Sequence, residues 1–160
     1  MKKIFLLFTL ISSFLTIAQT APAIQWQKSL GGNSRDTAKS ILQTIDGGYI
    51  LAGYSQSIDG DVSGNHGGWD YWIVKLDQYG EIVWGKCFGG SSADYANCVI
   101  QTYDGGYAIA GYTVSHDGDV SVNRGKTNAW VVKLDSEGYL LWQKCFVGSR
   151  SEVATSLVGS

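Results

Sequence analysis

The chain has 160 residues and a formal net charge of −2, with its basic residues scattered singly, which excludes the charged footprint of a nucleic-acid binder. Twenty-one glycines against a single proline, with 12% aromatic residues, suit many short strands joined by tight turns. Beyond the N-terminus no long stretch keeps a 3.6-residue apolar period with caps at both ends, so helices are not expected there.

In chain order, Lys2-Lys3 form a positive n-region, Ile4 to Ile17 an apolar stretch, and Thr16-Ile17-Ala18 a small-residue cleavage site. Residues 1–18 therefore read as a signal peptide cut after Ala18, and the expected destination of residues 19–160 is the outer cell surface or the medium. The apolar stretch is shorter than the ~20 residues a spanning helix needs, so no membrane span is expected after cleavage. Gln19 to Ser160 is the size of one ordinary domain.

From Trp26 onward the chain copies itself. WQKSLGG at Trp26–Gly32 returns as WGKCFGG at Trp84–Gly90 and as WQKCFVG at Trp142–Gly148, 58 residues further on each time. This divides the chain into repeats at about 26–83 and 84–141, with the start of a third at 142–160. A period in this range belongs to solenoids, propellers and arrays, whose units cannot bury their apolar faces alone. Residues that recur in every copy serve the scaffold, whereas a single functional site needs residues that break the repeat.

Within one copy, Ala38–Thr44 runs through Asp46-Gly47-Gly48 into Tyr49–Ser55, a hairpin signal because the turn needs positive φ. The long loop Gln56–Trp69 follows, and then Asp70–Asp77 turns at Gln78-Tyr79-Gly80 into Glu81–Phe88. The second copy repeats this with Ala96–Thr102, Tyr107–Thr113, Asn128–Asp135 and Gly138–Phe146. Several strands are apolar runs without clean alternation, which implies small sheets covered on both faces. The expected fold is all-β: a β-propeller-type repeat with two complete four-stranded antiparallel blades, at about Ala38–Phe88 and Ala96–Phe146, and partial blades at both ends. Trp26–Leu30 is expected as an edge strand and Ala154–Val158 as the beginning of a further first strand. Two blades do not close a ring, since rings use roughly four to eight. Adjacent blades, in a longer chain or an oligomer, are therefore expected partners, and the fragment reading is favoured.

The run GGSSADYANCVIQTYDGGYAIAGYT at Gly89–Thr113, followed by WVVKLDSEGYLLWQK at Trp130–Lys144, resembles the SBBP-type and delta-60-type propeller repeats of secreted bacterial proteins. It is especially similar to the repeats of exported Bacteroidetes proteins, many of which end in a type IX secretion sorting domain. The resemblance covers Trp26 to Ser160 and implies a propeller and export. It implies no activity, although some members carry the label endoglucanase.

The sharpest candidate site is the loop Asp59–Asp70, which places oxygen side chains at positions one, three, five and twelve with Gly64 at six. Asp59, Asp61, Ser63 and Asp70 thus imitate the spacing of an EF-hand calcium loop, with Asp in place of the terminal bidentate Glu. The competing reading is a turn in which Asp and Ser bond local backbone N–H groups. Calcium is the only cofactor the residues suggest. Trp69 has no counterpart in the second copy, where Thr127 stands, and is the candidate ligand-binding residue, for a glycan or a protein surface. Trp72 and Trp130 recur and are assigned to packing. Asp36 and Asp94 precede the first strands and are assigned to the turn between repeats rather than to a glycosidase pair. No catalytic residue is assigned, and no enzyme is expected. Cys87, Cys98 and Cys145 read as small buried hydrophobes, since no Cys–Cys pairing recurs, with a Cys87–Cys98 disulfide as the alternative.

Overall fold

The computed structural model describes residues 22–123 and 126–159. The expected signal peptide lies outside the described residues.

Eight strands follow one another without a helix among the described residues: β1 (Asp36–Gln43), β2 (Tyr49–Ser55), β3 (Asp70–Leu76), β4 (Ile82–Phe88), β5 (Asp94–Gln101), β6 (Tyr107–Thr113), β7 (Asn128–Leu134) and β8 (Leu140–Phe146). They form two antiparallel sheets in sequence order, β1-β2-β3-β4 and β5-β6-β7-β8. The hairpins arise where the glycines demand them. Gly47 and Gly105 sit at φ +83° and +81°, and Thr44 and Thr102 close each turn through paired backbone bonds of 2.9 Å. Both sheets share a bulge at the same place, between Ala38 and Ser40 in β1 and between Ala96 and Cys98 in β5. A bulge kept in both copies belongs to the design of the sheet and bends its first strand.

The two sheets lie face to face. Ile50, Ala52, Tyr71, Ile73 and Phe88 of the first sheet pack with Ala96, Val99, Tyr107, Ile109, Trp130, Val132 and Leu134 of the second in one core. Tyr71 is fully buried there and its hydroxyl donates to the Trp130 carbonyl at 3.0 Å, so the phenol's polar end is satisfied across the interface. A second core, Val62, Trp72, Val74, Leu76 and Cys87, covers the opposite face of the first sheet with Trp26 and Leu30 laid against it. The β3 strand is therefore buried along its whole length, which is why DYWIVKL reads as a run without alternation.

β8 begins at Leu140, two residues after the expected Gly138, which stays in the turn with its N–H donating to the Asp135 carbonyl. Three further expectations change. β1 and β5 begin two residues earlier than expected, at Asp36 and Asp94, because these carboxylates take up hydrogen bonds at the head of the strand. Trp26–Leu30 is not an edge strand. It crosses the face of the first sheet, its Trp26 ring 5.4 Å from Tyr49, so burial of the indole governs its path in place of ladder pairing. Ala154–Val158 is not a strand either, yet Ala154 donates its N–H to the Gly111 carbonyl at 3.1 Å and accepts from Asn97 Nδ2 at 2.9 Å. Cys87, Cys98 and Cys145 are all free thiols, but only Cys87 is buried as expected, Cys98 and Cys145 being half-buried; burial pushes Cys87 up to about 12 and Cys145 up to about 11.

Candidate functional site at the junction of the two sheets

Every loop of the Gln56–Trp69 kind, together with the connections into β1 and β5, lies at one end of the sheets, and the hairpin turns lie at the other. The DGD segment at the loop end acts as a clamp. Asp61 Oδ2 accepts from the Gly31 N–H at 3.0 Å, and Asp59 Oδ1 accepts from the Asn33 N–H at 2.8 Å. The second copy does the same: Asp119 Oδ2 accepts from Gly89 N–H at 3.1 Å and Asp117 Oδ1 from Ser91 N–H at 2.7 Å. Gly60 and Gly118, both at φ +64°, allow the contact, because a Cβ there would lie within 2.5 Å of the Gly31 or Gly89 carbonyl oxygen.

Asp70 goes elsewhere. Its Oδ2 accepts from the His66 N–H at 2.8 Å and meets His66 Nδ1 at 2.6 Å, while Oδ1 is buried without a partner. Asp59, Asp61, Ser63 and Asp70 thus do not converge. Asp59 and Asp61 face the chain entering β1, Asp70 faces the junction, and Ser63 lies exposed in the loop. Among the described residues no group of three or more His, Cys, Asp or Glu side chains is arranged to hold a metal ion. As placed, the loop residues do not meet on one calcium ion, because the Asp59, Asp61 and Asp70 oxygens answer N–H donors at separate points and Ser63 stays exposed.

At the junction a second buried carboxylate stands beside Asp70. A Cβ added to Gly89 would lie 2.5 Å from Asp94 Oδ2 and 3.0 Å from Asp70 Oδ1. Asp94 Oδ2 accepts from Gly90 N–H at 2.9 Å and from Ser115 Oγ at 2.8 Å, and its Oδ1 is buried without a hydrogen-bond partner. Burial raises both carboxyls. His66 partly offsets this at Asp70, and the Thr113, Gly90 and Ser115 groups partly offset it at Asp94. His66 also brings Nε2 to 3.9 Å from Asp119 Oδ2, so one imidazole spans carboxylates from both repeats. The Asp94 pattern has a counterpart in Asp36, which accepts from Gly32 N–H at 2.8 Å and Ser57 Oγ at 2.9 Å, so these residues fix the turn between repeats as expected.

Next to the two carboxylates in sequence, Trp69 and Tyr95 belong to a run of aromatic rings. Trp69 meets Tyr54 edge-on at 5.2 Å and Tyr95 at 6.0 Å. Tyr54 meets Tyr95 at 4.7 Å, and Tyr95 stacks on Tyr112 at 4.9 Å. Lys39 Nζ sits 5.6 Å from the Tyr54 ring. All four rings are partly exposed, so they form a shelf rather than a core. Trp69 was legible as a candidate; Tyr54, Tyr95 and Tyr112 were not. The signal that marks Tyr95 is the one that marks Trp69: it breaks the repeat, with Thr37 and Val153 at its equivalent positions. His66 and Asp70 break it too, against Arg124 and Asn128. The four repeat-breaking residues therefore form two contacts, Trp69 with Tyr95 and His66 with Asp70.

At the hairpin end, a groove of about 700 Å³ runs between the sheets past Ile45, Tyr79, Trp84 and Tyr107. Lys75, the buried cation beside it, is held by Asp46 at 2.8 Å, and that hydrogen bond, with Thr44, brings the Asp46 carboxyl down to about 2. Lys133 and Asp104 repeat the pair at 2.9 Å, so it belongs to the scaffold. No family model matches the chain, and no curated protein matches it.

Proposed function

We propose that the chain is a non-catalytic, exported β-propeller-type repeat segment that binds or scaffolds at the cell envelope or outside the cell, within a longer assembly of such repeats. The observation that carries the binding part is the aromatic shelf, where repeat-breaking Trp69 and Tyr95 meet recurring Tyr54 and Tyr112 at the junction of the sheets. Partly exposed aromatic rings offer apolar area with few rotatable bonds, a chemistry suited to the C–H faces of sugars and to protein surfaces. Asp70 and Asp94, the chain neighbours of Trp69 and Tyr95, have no exposed surface, which supports a structural role for them and not a reacting one. The leader-like residues 1–18 support export, and a secreted product beginning at Gln19 is expected by mass spectrometry of the culture medium.

The same shelf supports a second reading, an accessory part of a secreted polysaccharide-degrading enzyme of the endoglucanase-like kind. Titration with cello-oligosaccharides and xylo-oligosaccharides, followed by tryptophan fluorescence, tests both. Saturable quenching that is lost in Trp69→Ala and reduced in Tyr95→Ala is expected for a glycan site. A response that survives Trp69→Ala removes the shelf from the proposal.

A further inference from the structure

The interface between the two sheets has a knob and a socket, and both are present a second time at the outer faces. The knob is Trp84 of β4. Its ring lies on Gly138, where an added Cβ would be 3.0 Å away, its centroid is 5.9 Å from Tyr107, and its Nε1 donates to the Ser136 carbonyl at 3.3 Å. Two residues on, Lys86 Nζ donates to the Glu137 carbonyl at 3.0 Å and lies 3.7 Å from the Tyr139 ring. The socket is thus the β7–β8 turn and the start of β6.

The first sheet carries an equivalent socket at Gly80 and Tyr49, and it is filled by Trp26. The fit is as close as in the internal interface, with an added Cβ on Gly80 only 2.8 Å from the Trp26 ring, and Lys28 pairs with Glu81 as Lys86 reaches Glu137. Trp26–Leu30 therefore stands where the last strand of a neighbouring sheet would stand, without belonging to a sheet. At the other outer face, the knob Trp142 on β8 is 51% exposed, with Phe146 of the same strand face also exposed. Residues 152–154 cross that face as β5 crosses the first sheet. Glu152 N–H donates to the Thr127 carbonyl and Ala154 is bonded to Gly111 and Asn97, yet Trp142 stays uncovered.

We propose that these two outer faces are complementary halves of one interface, and that a second copy of this chain is the occupant of the β8 face. Trp142 of one copy enters the Gly80–Tyr49 socket of the next once that copy's Trp26 arm swings out, and the residue 152–158 arm yields its place to the incoming β1. Each arm is a plug held by one anchor and a few hydrogen bonds, with no ladder to break. Continuity with the internal interface is the argument: WGKCF makes it within the chain, WQKCF is the same knob unoccupied, and WQKSL is the same knob in the socket already. Because knob and socket are on different faces, the contact is heterologous and generates rings or open chains in place of a two-fold dimer. This inference stands independently of the glycan reading.

Sedimentation velocity of the mature chain against Trp142→Glu is the test. The wild type is expected to show concentration-dependent association beyond a dimer, and Trp142→Glu, a surface change, to stay monomeric. A full-length Trp26→Ser/Leu30→Ser chain, with its socket unplugged, is expected to associate at lower concentration than the wild type. A 1:1 complex should form when it carries Trp142→Glu as well and is mixed with wild-type chain below the concentration at which the wild type associates with itself. Identical sedimentation of wild type and Trp142→Glu overturns the proposal, as does unplugged association that Trp142→Glu leaves intact.

Discussion

The two copies are internal controls for one another, and at the residue scale their differences predict free-energy changes. Trp130 Nε1 donates to Gln143 Oε1 at 2.8 Å, whereas Trp72 Nε1, buried at the same repeat position, has no partner. Gly85 stands in the first copy where Gln143 stands in the second, and the space is open: a Cβ on Gly85 would meet Trp72 Nε1 at 3.9 Å and nothing closer than 3.4 Å. A buried unpaired donor costs about 1–3 kcal/mol. Gly85→Gln is therefore expected to stabilise the chain by about 1 kcal/mol or more, read as a higher urea midpoint at unchanged slope. Asp70 permits a second comparison, since its counterpart Asn128 is also buried but neutral, with its amide bonded to the Lys126 carbonyl. Burial raises the Asp70 and Asp94 carboxyls above the ordinary 3.8, so the folded chain holds their protons to higher pH than the unfolded chain does. That linkage makes stability fall as pH rises from 3.8 through the folded-state values. Asp46 has the opposite sign and acts only as pH falls from 3.8 toward about 2, so the two effects separate. Asp70→Asn should flatten the fall above about pH 4 and raise neutral-pH stability. Thermal unfolding between about pH 4 and pH 8 checks it, and a lower melting temperature at neutral pH would show that the His66–Asp70 contact outweighs the burial cost.

At the element scale the DGD loops are fasteners between each long loop and the connection into β1 or β5. Asp61→Ala is expected to release the Gly31 N–H and destabilise by about 1 kcal/mol, with no change when calcium is added and a flat calorimetric titration in both forms. Saturable calcium heat in the wild type, absent in Asp61→Ala, would restore the cation-loop reading. The strands were legible because a 58-residue period and the Asp-Gly-Gly turns set their positions twice over. The head of β1 was not. Asp is a poor strand former on propensity, and what recruits Asp36 is that its carboxylate accepts from the nearby Gly32 N–H and from the Ser57 hydroxyl, the latter distant in sequence. The Trp26 segment misled for a related reason: its motif is that of a last strand, but it finds a face to cover and no edge to pair with. In the candidate site, Trp69 could be singled out by its lack of a counterpart. Its contact with Tyr95 is set by how one sheet packs on the next, which neither copy encodes alone.

On the scale of the whole molecule, the question is whether two sheets with separate hydrogen-bond networks unfold separately. Repeat proteins divide stability between the intrinsic term of each unit and the interface term between neighbours. Here the interface is the larger core: β2, β3 and β4 of the first sheet and most of the second contribute to a single cluster around Tyr71 and Trp130. The second core depends on Trp26 and Leu30, an arm without ladder bonds, so the first sheet loses cover on its other side as soon as the arm moves. A sheet of four strands with neither face covered is not stable alone in water. Cooperative unfolding is therefore expected, with tryptophan fluorescence and far-ultraviolet dichroism giving coincident transitions. Tyr71→Phe removes the hydroxyl that reaches Trp130 and leaves the ring in place, at an expected cost of about 1–2 kcal/mol. Because Tyr71 lies on β3 and its acceptor on β7, hydrogen exchange in the variant should accelerate equally in β2–β3 and in β6–β7. Acceleration confined to the first sheet, or two separate thermal transitions, would show that each sheet holds its own stability and that the shared core only docks them.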